Sequence, residues 1–158
     1  MVDYTLEEKD GFTVVGLGTE MKSHYTDFAG LNKEKTAFWQ DVSQDGRLDA
    51  LKAMAANDYI FTVNEAVNGK MMYYAGVMTA ASAPEEARVI QFPKGEYLVV
   101  KGEGKTVDEL SNQLAGLTFG QVLPEVNVSY VGGPNATVVL GRRNGLVYGE
   151  MWVPVVRK

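Results

Sequence analysis

The chain has 158 residues, 46% of them hydrophobic and 22% charged, and this size and balance suit a single folded domain. A net charge of −5 and a pI near 4.9 disfavour stand-alone nucleic-acid binding, because phosphate backbones would be repelled. No apolar run approaches the ~20 residues of a membrane-spanning helix, and the lack of cysteine excludes disulfides and thiolate chemistry. We therefore expect a soluble protein.

The N-terminus and the single histidine lead to two further expectations. Met1–Tyr4 has neither the basic start nor the apolar stretch of a signal peptide, which together with the absence of cysteine predicts a cytoplasmic location. His24 lies in a polar stretch and is expected on a surface loop, since one histidine cannot supply a multi-histidine metal site. We expect no metal and no cofactor.

In chain order, the first predicted elements are a strand and an interrupted helix. Residues 12–18 are rich in β-branched residues and glycine, which favours a strand. Apolar residues then recur at helical spacing after Asn32, the expected N-cap. The pattern breaks near Ser43–Gly46 and resumes toward Asn57, so we predict a helix that kinks or divides there.

A hairpin and a connector complete the first half. The β-forming segments 59–65 and 71–77 flank Asn68–Gly69, a pair that tolerates the positive φ angles of tight turns. Ser82–Glu86 is polar and contains a proline, which is typical of a connector between two halves.

The second half repeats this order of elements. Gly95–Val100 predicts a strand, and Thr106 with Glu109 forms a capping box at a helix start. The buried stripe of this helix consists of leucines at helical spacing: Leu110, Leu114 and Leu117. A second hairpin over residues 136–153 turns at Asn144–Gly145.

The repeated order predicts one domain of the α+β class over residues 1–158, with halves 1–81 and 87–158. Neither half can bury both faces of its own sheet, so the two are expected to pack together. We predict tandem strand-helix-strand-strand units that form a mainly antiparallel sheet, with the helices on one face. A ligand groove between the halves is expected on the other face.

The final strand separates its side chains into two sets by strand alternation. One set is apolar and is expected to face the helices: Met151, Val153 and Val155. The other set places the Glu150 carboxylate between the aromatic rings of Tyr148 and Trp152. Two interpretations are open: a solvated face with ordinary cross-strand pairs, or a site where rings and carboxylate attract a flat cation.

Other aromatic residues could line the same groove. Tyr59 and Phe61 share one face of their strand, and the hairpin register gives Tyr74 the place that Glu150 occupies in the second half. Trp39 lies on the first helix, where it is either a packing residue or a wall of the groove. The candidate ligand-binding residues are Glu150, Trp152, Tyr148, Trp39, Tyr74, Tyr59 and Phe61.

Two short motifs carry a family resemblance: Gly149–Val155 contains Glu-x-x-x-Pro in the closing strand, and Pro93–Tyr97 reads Pro-x-Gly-x-Tyr. Both resemble patterns of the GyrI-like family, which includes the effector-binding domains of bacterial multidrug-responsive transcription activators. Trp39 on the long first helix is a third match. The resemblance implies a groove for aromatic, often cationic compounds, with Glu150 as the charge partner.

The resulting hypothesis is a stand-alone small-molecule-binding protein for hydrophobic, cationic aromatic compounds, acting in drug sensing or sequestration. One alternative is a hydrolase of reactive small molecules that uses Glu150 as a general acid or base. Another is a protein-binding inhibitor, as the family's namesake is. About ten residues precede the first predicted strand, where family regulators carry a DNA-binding region, so we expect no direct nucleic-acid binding. The apolar runs are only strand-sized, so we expect no membrane partner either.

Overall fold

The computed structural model describes residues 4–23, 27–44, 46–56, 59–67, 69–79, 87–131 and 134–157. Its strands are β1 (Tyr4–Lys9), β2 (Phe12–Glu20), β3 (Ile60–Val67), β4 (Lys70–Met78), β5 (Arg88–Phe92), β6 (Gly95–Gly104), β7 (Val128–Tyr130), β8 (Asn135–Arg143) and β9 (Leu146–Arg157). Its helices are α1 (Phe28–Gln44), α2 (Arg47–Ala53), α3 (Val107–Leu117) and α4 (Leu123–Glu125), with a π-helical turn at Thr118–Val122. No helix within these residues combines the length and the apolar character needed to cross a membrane.

All the strands belong to one antiparallel sheet, in the order β1-β6-β9-β8-β3-β4-β2-β5, with β7 paired to the end of β9. The first half contributes β2, β3 and β4, and the second half contributes β6, β8 and β9. The halves meet at the centre, where β3 pairs with β8. The predicted α+β fold with a mainly antiparallel sheet is therefore confirmed.

The two edge strands cross over between the halves. β1 pairs with β6, and β5 pairs with β2, so each edge strand extends the sheet of the opposite half. The rings of Phe12 on β2 and Trp152 on β9 lie 5.6 Å apart. In a flat sheet these strands would be about 19 Å apart, at about 4.8 Å per strand, so the sheet is curled into a half-barrel.

The helices cover the convex face of this half-barrel. Under α1 and α2, the first half buries Val15, Leu17 and Val77. Under α3, the second half buries Met151 and Val153 against Leu110 and Leu114. The prediction that the apolar set of the last strand faces a helix is confirmed.

The first helix begins earlier than the sequence pattern predicts. Asp27, not Asn32, is its N-terminal cap, because Oδ1 of Asp27 accepts a hydrogen bond of 3.0 Å from the backbone N–H of Gly30. The prediction for Asn32 was wrong, since an apolar pattern does not mark the exposed first turn. The predicted break is confirmed: α1 ends at Gln44 and α2 begins at Arg47, after Gly46 with a φ of 82°.

The start of α3 follows the predicted cap with one difference. The Thr106 hydroxyl accepts a hydrogen bond of 3.2 Å from the backbone N–H of Glu109. The Glu109 carboxylate accepts from the N–H of Lys105, one residue before the position that the capping box predicts. Leu110 and Leu114 are fully buried, and the helix continues after Leu117 into the π-helical turn.

The second hairpin turns where its sequence predicts. Asn144 and Gly145 have φ angles of 53° and 77°, the two positive values of a tight type I′ turn. In the first hairpin Gly69 has a φ of 77°, and its neighbour Asn68 lies outside the described residues. His24 and the connector Ser82–Glu86 also lie outside them.

Candidate functional site

Glu150 lies on the concave face of the half-barrel, opposite the helices. Within the sheet it pairs with Lys101 on β6 and with Val138 on β8. A cavity of about 410 Å³ lies beside it, which we call the Glu150 groove. The groove is lined by Lys101, Glu103, Leu140, Arg143, Tyr148 and Glu150.

Trp152 holds the Glu150 carboxylate in place. The two side chains point to the same face because they are two residues apart on β9. The indole Nε1–H of Trp152 donates a hydrogen bond of 2.9 Å to Oε1 of Glu150. Trp152 is buried and Glu150 is half-buried, so a fixed ring orients a carboxylate that solvent and ligands can still reach.

The face of the Trp152 ring carries a cation from the same chain. The Nζ atom of Lys9 lies 4.0 Å from the ring centroid, within the range of a cation–π contact. Lys9 also pairs with Glu7, with Nζ and Oε1 3.6 Å apart. Trp152 therefore contacts the Glu150 carboxylate at its N–H edge and the Lys9 ammonium group on its ring face.

A second cation–π contact lies at the outer end of the groove. The guanidinium carbon of Arg143 is 4.5 Å from the centroid of the Tyr148 ring, and Arg143 also approaches Glu103 at 3.9 Å. A register shift in β8 between Val139 and Gly141 brings Gly141 opposite Tyr148. Both rings that flank Glu150 thus contact a cation of the chain itself.

The equivalent part of the first half is filled by Tyr74. The Tyr74 ring lies directly over Gly18, since a Cβ at that glycine would overlap the ring carbons. Burial raises the pKa of the Tyr74 hydroxyl. The nearby Glu65 carboxylate also raises this pKa, and it forms an ion pair of 3.0 Å with Arg88. The second half sets Lys101 opposite Glu150, whereas the first half sets Gly18 opposite Tyr74, whose ring occupies the space above that glycine.

Phe61 and Tyr59 support the aromatic cluster of the concave face. Phe61 is fully buried and meets Trp152 edge-on, with ring centroids 5.7 Å apart. Tyr59 is half-buried and packs against the same cluster. Six of the seven candidate residues therefore share this face, with Phe61 packed beneath Trp152.

Trp39 lies on the opposite face of the sheet from Glu150. Its Nε1–H donates a hydrogen bond of 2.7 Å to the hydroxyl of Tyr73, which points to the helix side because it neighbours Tyr74 on the strand. Trp39 packs there against the core under α1. Of the two interpretations for Trp39, the packing residue fits its position, because Trp39 is not among the residues that line the Glu150 groove.

Sequence reasoning missed the basic residues of this face. Lys101 could have been found, because alternation along β6 places it on the same face as Tyr97 and Val99. Lys9 lies on β1, a strand that the apolar pattern does not reveal. Among the described residues no cluster of three or more histidine, aspartate or glutamate side chains could hold a metal ion.

A half-barrel with helices on its convex face, and with a glutamate between aromatic rings on its concave face, defines a GyrI-like effector-binding domain. The family described as Cass2, integron-associated effector binding protein, matches residues 5–155. The chain belongs to this family. No curated protein matches the sequence.

Solved structures share the fold along nearly the whole chain. SAV2435 bound to tetraphenylphosphonium is 19% identical with a TM-score of 0.77, over 98% of this chain and 94% of that one. A putative transcription regulation protein from Staphylococcus aureus MU50 is also 19% identical, with a TM-score of 0.74 over 98% and 99%. An integron cassette protein from the Vibrio cholerae mobile metagenome is 11% identical, with a TM-score of 0.64 over 97% and 95%. At these identities the likeness shows the fold.

Proposed function

We propose that this protein binds hydrophobic aromatic cations in the Glu150 groove, for drug sensing or sequestration. The observation that carries the proposal is the position of Trp152, whose N–H edge orients the Glu150 carboxylate while its ring face holds an ammonium group 4.0 Å away. A ring face and a fixed carboxylate on one surface attract the same ligand, a cation with an apolar body.

The groove has a size and composition that suit such a ligand. Its volume of about 410 Å³ lies within the range of small-molecule sites, about 300–1,000 Å³. Tyr148 offers a second ring, and Leu140 offers an apolar wall. Tetraphenylphosphonium, which is bound in the structure of the neighbour SAV2435, is a cation of this class and a suitable probe.

The residues would divide the recognition between them. Glu150 would neutralise the ligand charge, and its position beside a buried indole would strengthen that attraction relative to a fully solvated carboxylate. Trp152 and Tyr148 would contact the aromatic groups of the ligand. Lys9 and Arg143, the internal cations on these rings, would be displaced as the ligand enters.

Isothermal titration calorimetry with tetraphenylphosphonium tests the proposal. We expect micromolar binding by the wild type and an affinity about tenfold lower for Glu150→Gln, a loss of about 1.4 kcal/mol. Glu8→Gln is the matched control, because it removes the same charge from an exposed position of β1 outside the groove lining. Triphenylphosphine oxide, a neutral aromatic analogue, should bind both forms equally.

Equal affinity of the wild type and Glu150→Gln for the phosphonium ion would overturn the proposed role of Glu150. Mass spectrometry of the recovered ligand should show no chemical change, because a binding protein releases what it binds. A product whose formation Glu150→Gln suppresses would instead assign the groove to a hydrolase.

A further inference from the structure

A second cavity lies on the convex side of the sheet, between α1 of the first half and α3 of the second. Its volume is about 840 Å³, roughly twice that of the Glu150 groove. It is lined by Ala29, Leu31, Lys35, Ala115, Gly116 and Phe119, among others. We propose that this helix-side cavity binds an amphiphilic anion, a carboxylate or sulfonate with an apolar body.

The α3 side of the cavity is kept open by glycines. Asn112, Gly116 and Gly120 follow one another at intervals of four residues and line the cavity with Ala115 and Phe119. A Cβ at Gly116 or Gly120 would meet no atom within 4 Å. Neither glycine is therefore needed for a close approach between two elements. Glycine in a helix costs about 0.5–1 kcal/mol relative to alanine. The small residues here leave the cavity unfilled and do not bring two elements into contact.

The helix geometry changes at the same place. The α-helical pattern ends at Leu117, and the π-helical turn Thr118–Val122 supplies Phe119 and Gly120 to the cavity wall. Such turns are rare and occur frequently at functional sites. Phe119 is 37% exposed and packs against the Tyr130 ring at 5.6 Å, which leaves an apolar ring surface beside the cavity.

Lys35 supplies the charge. Its Nζ lies 5.1 Å from the ring centroid of Tyr73, a fully buried residue, so the ammonium group is directed toward the sheet. Burial lowers the pKa of Lys35, since the charged form loses hydration. Within the described part of the chain, no carboxylate forms an ion pair with Lys35. A bound anion would supply the missing countercharge.

Charge therefore separates the two sites. Among the described residues that line the helix-side cavity, Lys35 is the one cation, and the others are apolar apart from Asn112. The lining of the Glu150 groove sets the carboxylates of Glu103 and Glu150 beside the cations Lys101 and Arg143, so its charges are balanced. An aromatic cation is repelled by Lys35, whereas the unbalanced charge of Lys35 favours an amphiphilic anion on the helix side of the sheet.

The test is a fluorescence titration with 8-anilinonaphthalene-1-sulfonate, an anion that becomes brighter in apolar surroundings. The wild type should show saturable binding that dodecanoate competes away. Lys35→Met removes the charge and keeps the length, and it should weaken binding about tenfold, equal to about 1.4 kcal/mol. Gly116→Leu should occupy the part of the cavity next to α3 and weaken binding, whereas Gly116→Ala should retain most of it.

Circular dichroism melting of each variant shows that the fold is intact before its affinity is compared. Lys35→Met should lose the same share of sulfonate affinity in the Glu150→Gln background as in the wild type, which separates this site from the Glu150 groove. Unchanged sulfonate affinity in both Lys35→Met and Gly116→Leu would overturn the proposal. Displacement of the sulfonate by tetraphenylphosphonium but not by dodecanoate would overturn it too, because the dye would then occupy the groove.

Discussion

The ammonium nitrogen of Lys9 lies 4.0 Å from the centroid of the Trp152 ring. These residues are far apart in sequence and meet because β1 pairs with β6, which in turn pairs with β9. The edge strand β1 thus places Lys9, its last residue, over the Trp152 ring, which is proposed to contact the ligand cation. The internal cation Lys9 and the proposed ligand cation would therefore compete for the same ring surface.

Replacement of Lys9 by methionine should therefore tighten phosphonium binding. A partly exposed cation–π contact contributes about 0.5–1 kcal/mol, so the gain should be about two- to fivefold in affinity. Calorimetric titration measures it. Lys94→Met is the control, because it removes the same charge from an exposed turn between β5 and β6. Equal gains in both variants would mean that net charge, and not release of the Trp152 ring, causes the effect.

Gly149→Ala should destabilise the protein and disturb the groove. A Cβ at Gly149 would overlap the carbonyl oxygen of Val138 on the paired strand, so the backbone next to Glu150 must move. Overpacking of this kind costs about 1–3 kcal/mol in the free energy of unfolding. Urea denaturation measures the loss.

Gly116→Ala is the matched control for Gly149→Ala, because the added Cβ meets no atom within 4 Å. It should raise the free energy of unfolding by about 0.5–1 kcal/mol through helix propensity. If the two substitutions shift the urea midpoint alike, the close approach at Gly149 does not constrain β9.

Ionisation of the Tyr97 hydroxyl should lower the free energy of unfolding at high pH. Burial raises its pKa to about 12, and its hydroxyl donates a hydrogen bond of 2.6 Å to the carbonyl of Pro93. An unfolded tyrosine ionises at about pH 10. Between these values the unfolded chain releases a proton that the folded chain retains, so stability is complete below the unfolded pKa and declines as pH rises.

Unfolding free energies at about pH 9 and about pH 11, on either side of the ordinary tyrosine pKa, should differ more for the wild type than for Tyr97→Phe. Absorbance titration should also show one fewer late-ionising tyrosine in the variant. The same decline in both proteins would assign the alkaline instability to other groups. The hydrogen bond explains why a tyrosine follows Pro93 at this spacing, since it ties the strand to the turn before it.

Local sequence patterns predicted the strands and helices whose side chains alternate or recur regularly, because these patterns do not depend on contacts with distant strands. Strand alternation was enough to place Glu150 with Tyr148 and Trp152 on one face, because the direction of a side chain in a strand depends only on its position. The hairpin register likewise related Tyr74 to Glu150. It could not predict that the Tyr74 ring would lie over Gly18, which depends on the facing strand.

The elements that were missed are held by distant partners. β1 and β5 are short or charged, and each is held in place by a strand of the opposite half. Their pairing, and with it the position of Lys9, follows from the curl of the sheet and not from local propensity. The sequence allowed two interpretations for Trp39. Its position depends on which face of the sheet α1 covers, and this is not encoded in the local pattern of α1.

The two tryptophans lie on opposite faces of the sheet and allow the location of the ligand to be measured directly. Trp39→Phe leaves Trp152 as the only fluorescent indole, and Trp152→Phe leaves Trp39. With tetraphenylphosphonium at saturating concentration, we predict a large change in emission from Trp152 and almost none from Trp39. A response from Trp39 with none from Trp152 would place the cation on the helix side and contradict binding beside Glu150.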